Sequence, residues 1–347
     1  MSHFASLWDL AEAGGCAAKL GPRDLDWLSH DLHTAHGNSE NVIAGLAHRY
    51  DAAIVSMSSD RWLVQTVDFI APVSPNPDSY GKIAAANALS DVYAMGGDPS
   101  VGLNICCFPR GPDLREEVRR VLYASAAVMK SAGAEIVGGH TVVSSRPLYG
   151  LAITGTISPG KVRSLADARS GHGLVLTKAI GTGLYISAFK QQLIGPRDFA
   201  VAESSMISLN RDASIIMRRY GAGACTDVTG FGLLGHAVKM AVSSNVRIQI
   251  WQSDLPLFAR AGELVNQGVT TSNSKEIGEY YGGHVPGGLR GVDAAVLCDP
   301  QTSGGLLISV PSNEVADLVD ELQNSGLKDA RAIGEIVPGP GGSVELL

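Results

Sequence analysis

The sequence predicts an α+β fold in two domains, and three observations carry that expectation. The chain is 347 residues long, more than one core of ordinary size fills. Helical periodicity and β-rich runs are interleaved in both halves. A polar, glycine-punctuated stretch at 158–171, "SPGKVRSLADARSG", separates the halves. Hydrophobic residues make up 45% and charged residues 18%, so there is enough apolar surface to offset the entropy of ordering the chain. Aromatics are only 6% while glycines number 41. The cores must then be built from Ala, Val, Leu and Ile, joined by tight turns or by loops whose backbone meets a ligand.

In chain order, "DAAIVSM" (51–57) and "RWLVQTVDFIAP" (61–72) read as two strands joined by a polar turn at 58–60, a hairpin. A helix is expected over 79–96, with Ala85, Leu89 and Val92 on one face and a stop at Gly96 and Gly97. Asn87 and Asp91, four apart, lie off that apolar stripe. A strand follows at 100–108, then a helix from about 113 with Leu114, Val118, Val121 and Leu122 at helical spacing. A strand pair is expected around "EIVGGH" and "LYGLAITGTI", which gives the first domain helices on one sheet.

The second half restarts with the strand "GLVLTK" (173–178) and continues with helices near 182–193 and 198–219. In "GACTDVTGFGLLGHAVKMA" (223–241) the helical part repeats Leu234, Ala237, Val238 and Ala241. The strand "VRIQIW" and the strand "LLISV" (306–310) precede a helix marked by Val315, Leu318, Val319 and Leu322, and the chain closes on the strand "ARAIGEIV".

Charge and cysteine usage narrow the function classes. The formal net charge is −7 and no basic tract is present, which argues against nucleic acid or an anionic membrane as partner and for a small substrate. The N-terminus "MSHFASLWDLAEAGG" lacks a cationic start followed by an apolar core, and no apolar run is long enough to span a bilayer, so the expected location is cytoplasmic. Five cysteines without a C-x-x-C pair indicate neither a disulfide framework nor a zinc site.

Four aspartates sit at element boundaries among small or apolar neighbours: Asp51, Asp68, Asp91 and Asp227. Taken singly, each reads as a cap of a helix or turn. Taken together they suit a hard cation such as Mg²⁺, which prefers oxygen ligands and bridges carboxylates to substrate phosphates. The glycine-rich pieces "GGHT" (138–141), "TGFGLLG" (229–235) and "TSGGLL" (302–307) leave backbone N–H groups open and could cradle phosphates or simply turn the chain. None fits a P-loop or a Rossmann fingerprint. Cys16 and Lys19 lie three apart in "GGCAAKLGP", where an ammonium favours thiolate and a mobile segment could carry both groups to a ligand. Lys19 suits stabilising a transferring phosphoryl group. His236, inside a predicted helix, reads as a satisfied packing residue.

Six blocks occur in order: "GGCAAKLGP", "VQTVDFIAPV…DSYGKIAAANALSDVYAMGGDP", "VGGHTVVSSRPLYGLAITG", "LTKAIGTG", "CTDVTGFGLLGHA" and "LCDPQTSGGLL". Together, over about residues 12–340, they closely resemble the selenophosphate synthetase family, also called selenide, water dikinase. The resemblance implies a two-domain fold like that of aminoimidazole ribonucleotide synthetase, in a homodimer whose N-terminal domain sheets join across the two-fold axis. It implies a flexible N-terminal catalytic segment at 1–45, an ATP- and metal-binding dimerisation domain at 46–157, and a C-terminal α/β domain at 158–347. The implied reaction converts ATP, selenide and water into selenophosphate, AMP and orthophosphate. Carried over by position, Cys16 and Lys19 are implied as catalytic and Asp51, Asp91 and Asp227 as magnesium ligands. Lys19, His48, Arg49, Tyr50, Asp68, Asp91, Gly139, His140 and Thr141 are implied as ATP contacts, the glycine-histidine loop coming from the second subunit. More than one Mg²⁺ is expected with ATP, and K⁺ is expected from the family. A selenium-delivery protein is left open as a partner.

The chain departs from the family's Gly-Cys-Gly-Cys-Lys pattern, with Ala17 and Ala18 in the intermediate positions, and a positive φ at residue 17 would be penalised by alanine. Tyr50 stands where many relatives carry a second aspartate beside Asp51. The alternatives are another ATP-using enzyme of the same superfamily and a non-catalytic nucleotide-binding paralogue.

Overall fold

The computed structural model describes all residues except 1–5, 12–13, 37–39, 46–50, 112–113 and 340, and of residues 30–36 and 292–293 it describes the backbone. After the leader helix α1 (Pro22–His36) come β1 (Val42–Ala44), β2 (Ala53–Ser56), β3 (Trp62–Ile70), α2 (Pro77–Ala94), β4 (Asp98–Phe108), α3 (Arg115–Ser131), β5 (Glu135–Val143) and β6 (Leu148–Ile157). The strands form one sheet in the order β1-β2-β3-β6-β4-β5. The expected hairpin is present, with Ala53 opposite Gln65 and Ser56 opposite Trp62. The expected pairing of the strands at "EIVGGH" and "LYGLAITGTI" is not. β5 lies parallel to β4, and β6 runs antiparallel between β3 and β4. The physical reason is the α3 crossover: a strand, a helix and a returning strand on the same sheet come back parallel, which leaves β6 to fill the centre.

Helix α2 shows why Asn87 and Asp91 lie off the apolar stripe. It starts at Asn76, whose side-chain oxygen accepts the Asp78 N–H at 3.1 Å, with Pro77 at the first helical position. Leu89, Val92 and Ala85 pack with Ile54, Val64, Leu151, Ile153 and Met129 in the core of the first sheet. Its opposite, polar side meets the second domain, where Asn210 Nδ2 donates to Ser90 Oγ at 2.8 Å and Ser214 Oγ donates to the Tyr93 carbonyl at 2.7 Å. A helix buried on nearly all sides has no solvent face to mark. Among the described residues the sheet's other face is uncovered in the single chain, with Val67, Phe69 and Leu103 exposed there and Val137, Val142 and Val143 exposed on β5.

The second domain contains β7 (His172–Leu176), α4 (Thr182–Lys190), α5 (Pro196–Ile207), α6 (Arg211–Met217), β8 (Cys225–Asp227), α7 (Gly232–Ser244), β9 (Arg247–Ile250), α8 (Ala261–Asn266), α9 (Ser274–Tyr281), α10 (Gly291–Leu297), β10 (Leu306–Pro311), α11 (Val315–Asn324), β11 (Arg331–Val337) and β12 (Ser343–Leu346). Its sheet runs β12-β9-β11-β7-β10-β8. The helix expected over 198–219 is two, α5 and α6. They separate at 208–210 because the Ser208 carbonyl accepts the Lys178 ammonium at 2.7 Å and Asn210 turns to the Gly304 carbonyl at 2.8 Å.

The leader, expected as a flexible segment, packs between the domains here. Gly15 bridges to Ala71, and Lys190 donates to the Ala11 carbonyl and sits over the Trp8 ring. Ser272 and Asn273 donate to the Ala17 and Lys19 carbonyls at 3.1 and 2.9 Å. Among the described residues no helix is long and apolar enough to cross a membrane.

Candidate active site

The leader enters the site at Gly15, whose φ of +60° and position against Thr302, where a Cβ would lie 2.1 Å from Oγ1, admit only glycine. Cys16, Ala17 and Ala18 then close a short 3₁₀ turn. Ala17 is not a positive-φ position, so the penalty considered for the alanine substitution does not arise; the left-handed residue is Gly15.

Cys16 is fully buried. Its N–H donates to Thr302 Oγ1 at 3.1 Å and its thiol donates to Asn87 Oδ1 at 3.6 Å. Asn87 Oδ1 also accepts the Ser303 N–H at 2.9 Å, while Asn87 Nδ2 donates to Asp68 Oδ2. Lys19 Nζ completes the group by donating to Asp68, 2.9 Å from Oδ1 and 3.0 Å from Oδ2. Burial pushes the Cys16 thiol up to about 12; the Lys19 charge opposes this and Asp68 reinforces it. The expectation that Lys19 makes Cys16 a thiolate therefore does not hold in this packed arrangement, because the ammonium is engaged by Asp68 and the sulfur is shielded from water. Burial also works against charge on Lys19, but Asp68 outweighs it and holds the ammonium protonated.

The remaining aspartates lie near enough to raise one another's proton affinity. Asp51 Oδ1 accepts from Thr226 Oγ1 at 2.9 Å, and Asp91 Oδ2 accepts from Thr66 Oγ1 at 2.5 Å. Asp51 Oδ2 and Asp227 Oδ2 are buried with no hydrogen-bond partner among the described residues. Burial raises the affinity of all three for a proton, and for Asp51 and Asp91 the charge of Asp227 raises it further. Buried carboxylates that repel one another and keep unfilled oxygens could hold a hard cation. Among the described residues no three His, Cys, Asp or Glu side chains are close enough to cage one ion by themselves.

The block "LCDPQTSGG" holds these parts together. Gln301 Oε1 accepts from the Gly181 and Thr182 N–H groups at 2.9 and 3.0 Å, and Asp299 Oδ2 accepts from the Leu184 N–H at 3.2 Å, so the open first turn of α4 is capped from more than a hundred residues away. Lys178 Nζ donates to the Ser303 carbonyl at 3.0 Å. Ser303 is in the left-handed region at φ 50°, and its N–H meets Asn87. Gly230 of the "TGFG" loop lies against Lys19, where a Cβ would be 3.1 Å from Cδ.

The structure thus gathers Cys16, Lys19 and Asp68 in one hydrogen-bonded group, with Asp51, Asp91 and Asp227 coupled to it electrostatically. Gly139, His140 and Thr141 lie apart, on the edge strand β5, with β4 and β6 between them and Asp68 on β3. His48, Arg49 and Tyr50 lie outside the described residues. His236 is buried and hydrogen-bonded to Thr226 and Thr229, a satisfied residue as its helical position suggested. Sequence reasoning missed Asn87 and Thr302 as partners of Cys16, and Ser303 as the partner of Asn87. The signal for Asn87 was present, an amide off the apolar stripe of an otherwise small and apolar helix.

Models of the AIR synthase related protein match the chain, the N-terminal domain at residues 49–157 and the C-terminal domain at 169–347. A selenide, water dikinase of Clostridioides difficile is 39% identical over 334 residues, 96% of this chain and 95% of that protein. A selenide, water dikinase of Pelobacter propionicus is 39% identical over 341 residues, covering 96% of each. Of solved structures, AaThiL complexed with AMPPCP and TMP superposes with a TM-score of 0.66 at 21% identity, over 95% of this chain and 96% of that one. Hydrogenase maturation protein HypE in complex with ATP superposes at 0.65 and 17% identity, over 92% and 90%. These two share the fold.

Proposed function

The chain belongs to the selenide, water dikinase family, and from that premise we propose how its residues carry out the ATP-dependent synthesis of selenophosphate from selenide and water. Release of AMP and orthophosphate means that two phosphoanhydride bonds of ATP break, one phosphoryl group passing to selenium and the other to the oxygen of water. Phosphoryl transfer asks mainly for positioning and for positive charge on the transferring group, not for an acid–base dyad.

A divalent metal serves ATP-using enzymes of this class, and we take it to be Mg²⁺, more than one with ATP, with K⁺ as the accompanying monovalent ion. When bound, Mg²⁺ supplies the charge that gathers the triphosphate. Asp51, Asp91 and Asp227 would hold it; the observation that carries this is the unpartnered, buried oxygens of Asp51 and Asp227 beside the Lys19–Asp68 pair. Lys19, kept charged by Asp68, is the cation for the transferring phosphoryl group. Cys16, a neutral thiol fixed by Thr302 and Asn87, sets the leader over the site and excludes water while selenide attacks. His48, Arg49 and Tyr50 precede Asp51 directly and are proposed to meet the nucleotide beside it.

A homodimer completes the site. The unpaired edge of β5 and the exposed apolar residues Val67, Leu103, Val137 and Val142 favour a second copy of the chain over solvent. That contact would bring Gly139, His140 and Thr141 to the nucleotide of the other subunit. The protein is proposed to work in the cytoplasm. The test is selenide-dependent AMP release, measured anaerobically with Mg²⁺ for the protein and for Cys16→Ser, Asp51→Asn and Asp227→Asn. Loss in both aspartate variants supports the reading. Full activity in either would remove that residue from the site.

A further inference from the structure

His236 is bonded on both ring nitrogens, and the two bonds fix its proton. The Thr229 backbone N–H can only donate, and it points at Nε2 from 3.1 Å, so Nε2 is the unprotonated acceptor. The ring is fully enclosed and burial keeps it neutral, with Lys239 and Lys19 acting in the same sense. The proton therefore sits on Nδ1, 3.2 Å from Thr226 Oγ1, and donates to it. A hydroxyl that accepts from the ring has its own proton left to give. Two acceptors are in reach, Asp51 Oδ1 at 2.9 Å and the Asp227 carbonyl at 3.1 Å. The carboxylate is both the closer and the stronger partner.

From this chain we infer that His236 is a positioning residue for Asp51: acting through Thr226, it occupies Oδ1 and leaves Oδ2 as the oxygen offered to the cation. The observation that points to Oδ2 is that it is buried and has no partner among the described residues. The same ring ties Thr229, at the start of the "TGFG" loop, to strand β8, so Asp51 and Asp227 are set by one imidazole. Partners that orient a ligating group in this way typically change metal affinity when removed. The inference rests on the proposed role of Asp51 as a metal ligand.

The test is direct Mn²⁺ binding to the full-length protein, read by electron paramagnetic resonance of the free ion, for Thr226→Val, Thr226→Ser, His236→Leu, the double variant Thr226→Val with His236→Leu, and Asp51→Asn. Valine matches threonine in shape, so Thr226→Val keeps the packing and removes only the relay. Thr226→Val and His236→Leu should each weaken Mn²⁺ binding by roughly tenfold, the double variant should be no weaker than either single, and Thr226→Ser should restore affinity to within about twofold of the parent. If His236→Leu does not fold, the valine–serine pair decides alone. Unchanged affinity in Thr226→Val while Asp51→Asn loses it overturns the relay and leaves Asp51 as a ligand. Unchanged affinity in Asp51→Asn overturns the ligand assignment itself.

Discussion

Lys19 of the leader clasps Asp68 of strand β3, with Nζ 2.9 Å from one carboxylate oxygen and 3.0 Å from the other. On the proposed role Lys19 acts on the transferring phosphoryl group rather than in folding, and its side chain is about a third exposed. Lys19→Ala should fold normally and lower kcat for selenide-dependent AMP release by about 10²–10³-fold, the scale of losing one charge-stabilising donor. Initial rates with a thermal melt alongside check both halves; an unchanged kcat would contradict the assignment.

Cys16 is a buried neutral thiol, and the thiolate is the form that alkylates. Burial that pushes its pKa up to about 12 should make its carboxamidomethylation at pH 7.5 at least roughly 100-fold slower than that of an exposed peptide thiol. Mass spectrometry of the Cys16 peptide after timed iodoacetamide treatment measures this. Reaction at the rate of an exposed thiol would show that the leader does not pack in solution as it does in the structure.

Buried Lys178 ties stability to pH. Burial lowers its pKa to about 7 from 10.5, so between those values the unfolded chain binds more protons than the folded one, and stability rises with pH through that window. Lys178→Met loses this slope. Relative to the variant, the parent should gain on the order of 1–2 kcal/mol between pH 7 and pH 9, read from urea unfolding at each pH. Parallel pH profiles would contradict a depressed pKa.

The uncovered face of the first sheet predicts the assembly state. Sedimentation should show the parent as a two-chain species, and Leu103→Glu with Val142→Glu, which places charge on two exposed apolar positions, should sediment as a single chain. A parent that is monomeric throughout would remove the shared-site proposal.

The legible parts of the molecule were those governed by local chemistry. The hairpin of β2 and β3 announced itself by alternation and a polar turn, and α2 by its small apolar stripe and its Gly-Gly stop. Strands β1, β8 and β12 have three or four residues, too few to show a period. The break between α5 and α6 depends on Lys178 and Asn210 reaching partners in other elements. At the site, the aspartates stood out because each interrupts an apolar run. Asn87 joins Cys16 to Ser303, 216 residues further on, and no local pattern reports a bond that the packing of two domains creates.

This chain couples ATP cleavage to selenium. The most direct measurement is phosphorus NMR of the protein incubated anaerobically with ATP, Mg²⁺ and selenide. Selenophosphate, AMP and orthophosphate appearing together, and only when selenide is present, is the predicted result. ATP turnover that proceeds equally without selenide, or that yields phosphate with no selenophosphate, would contradict it.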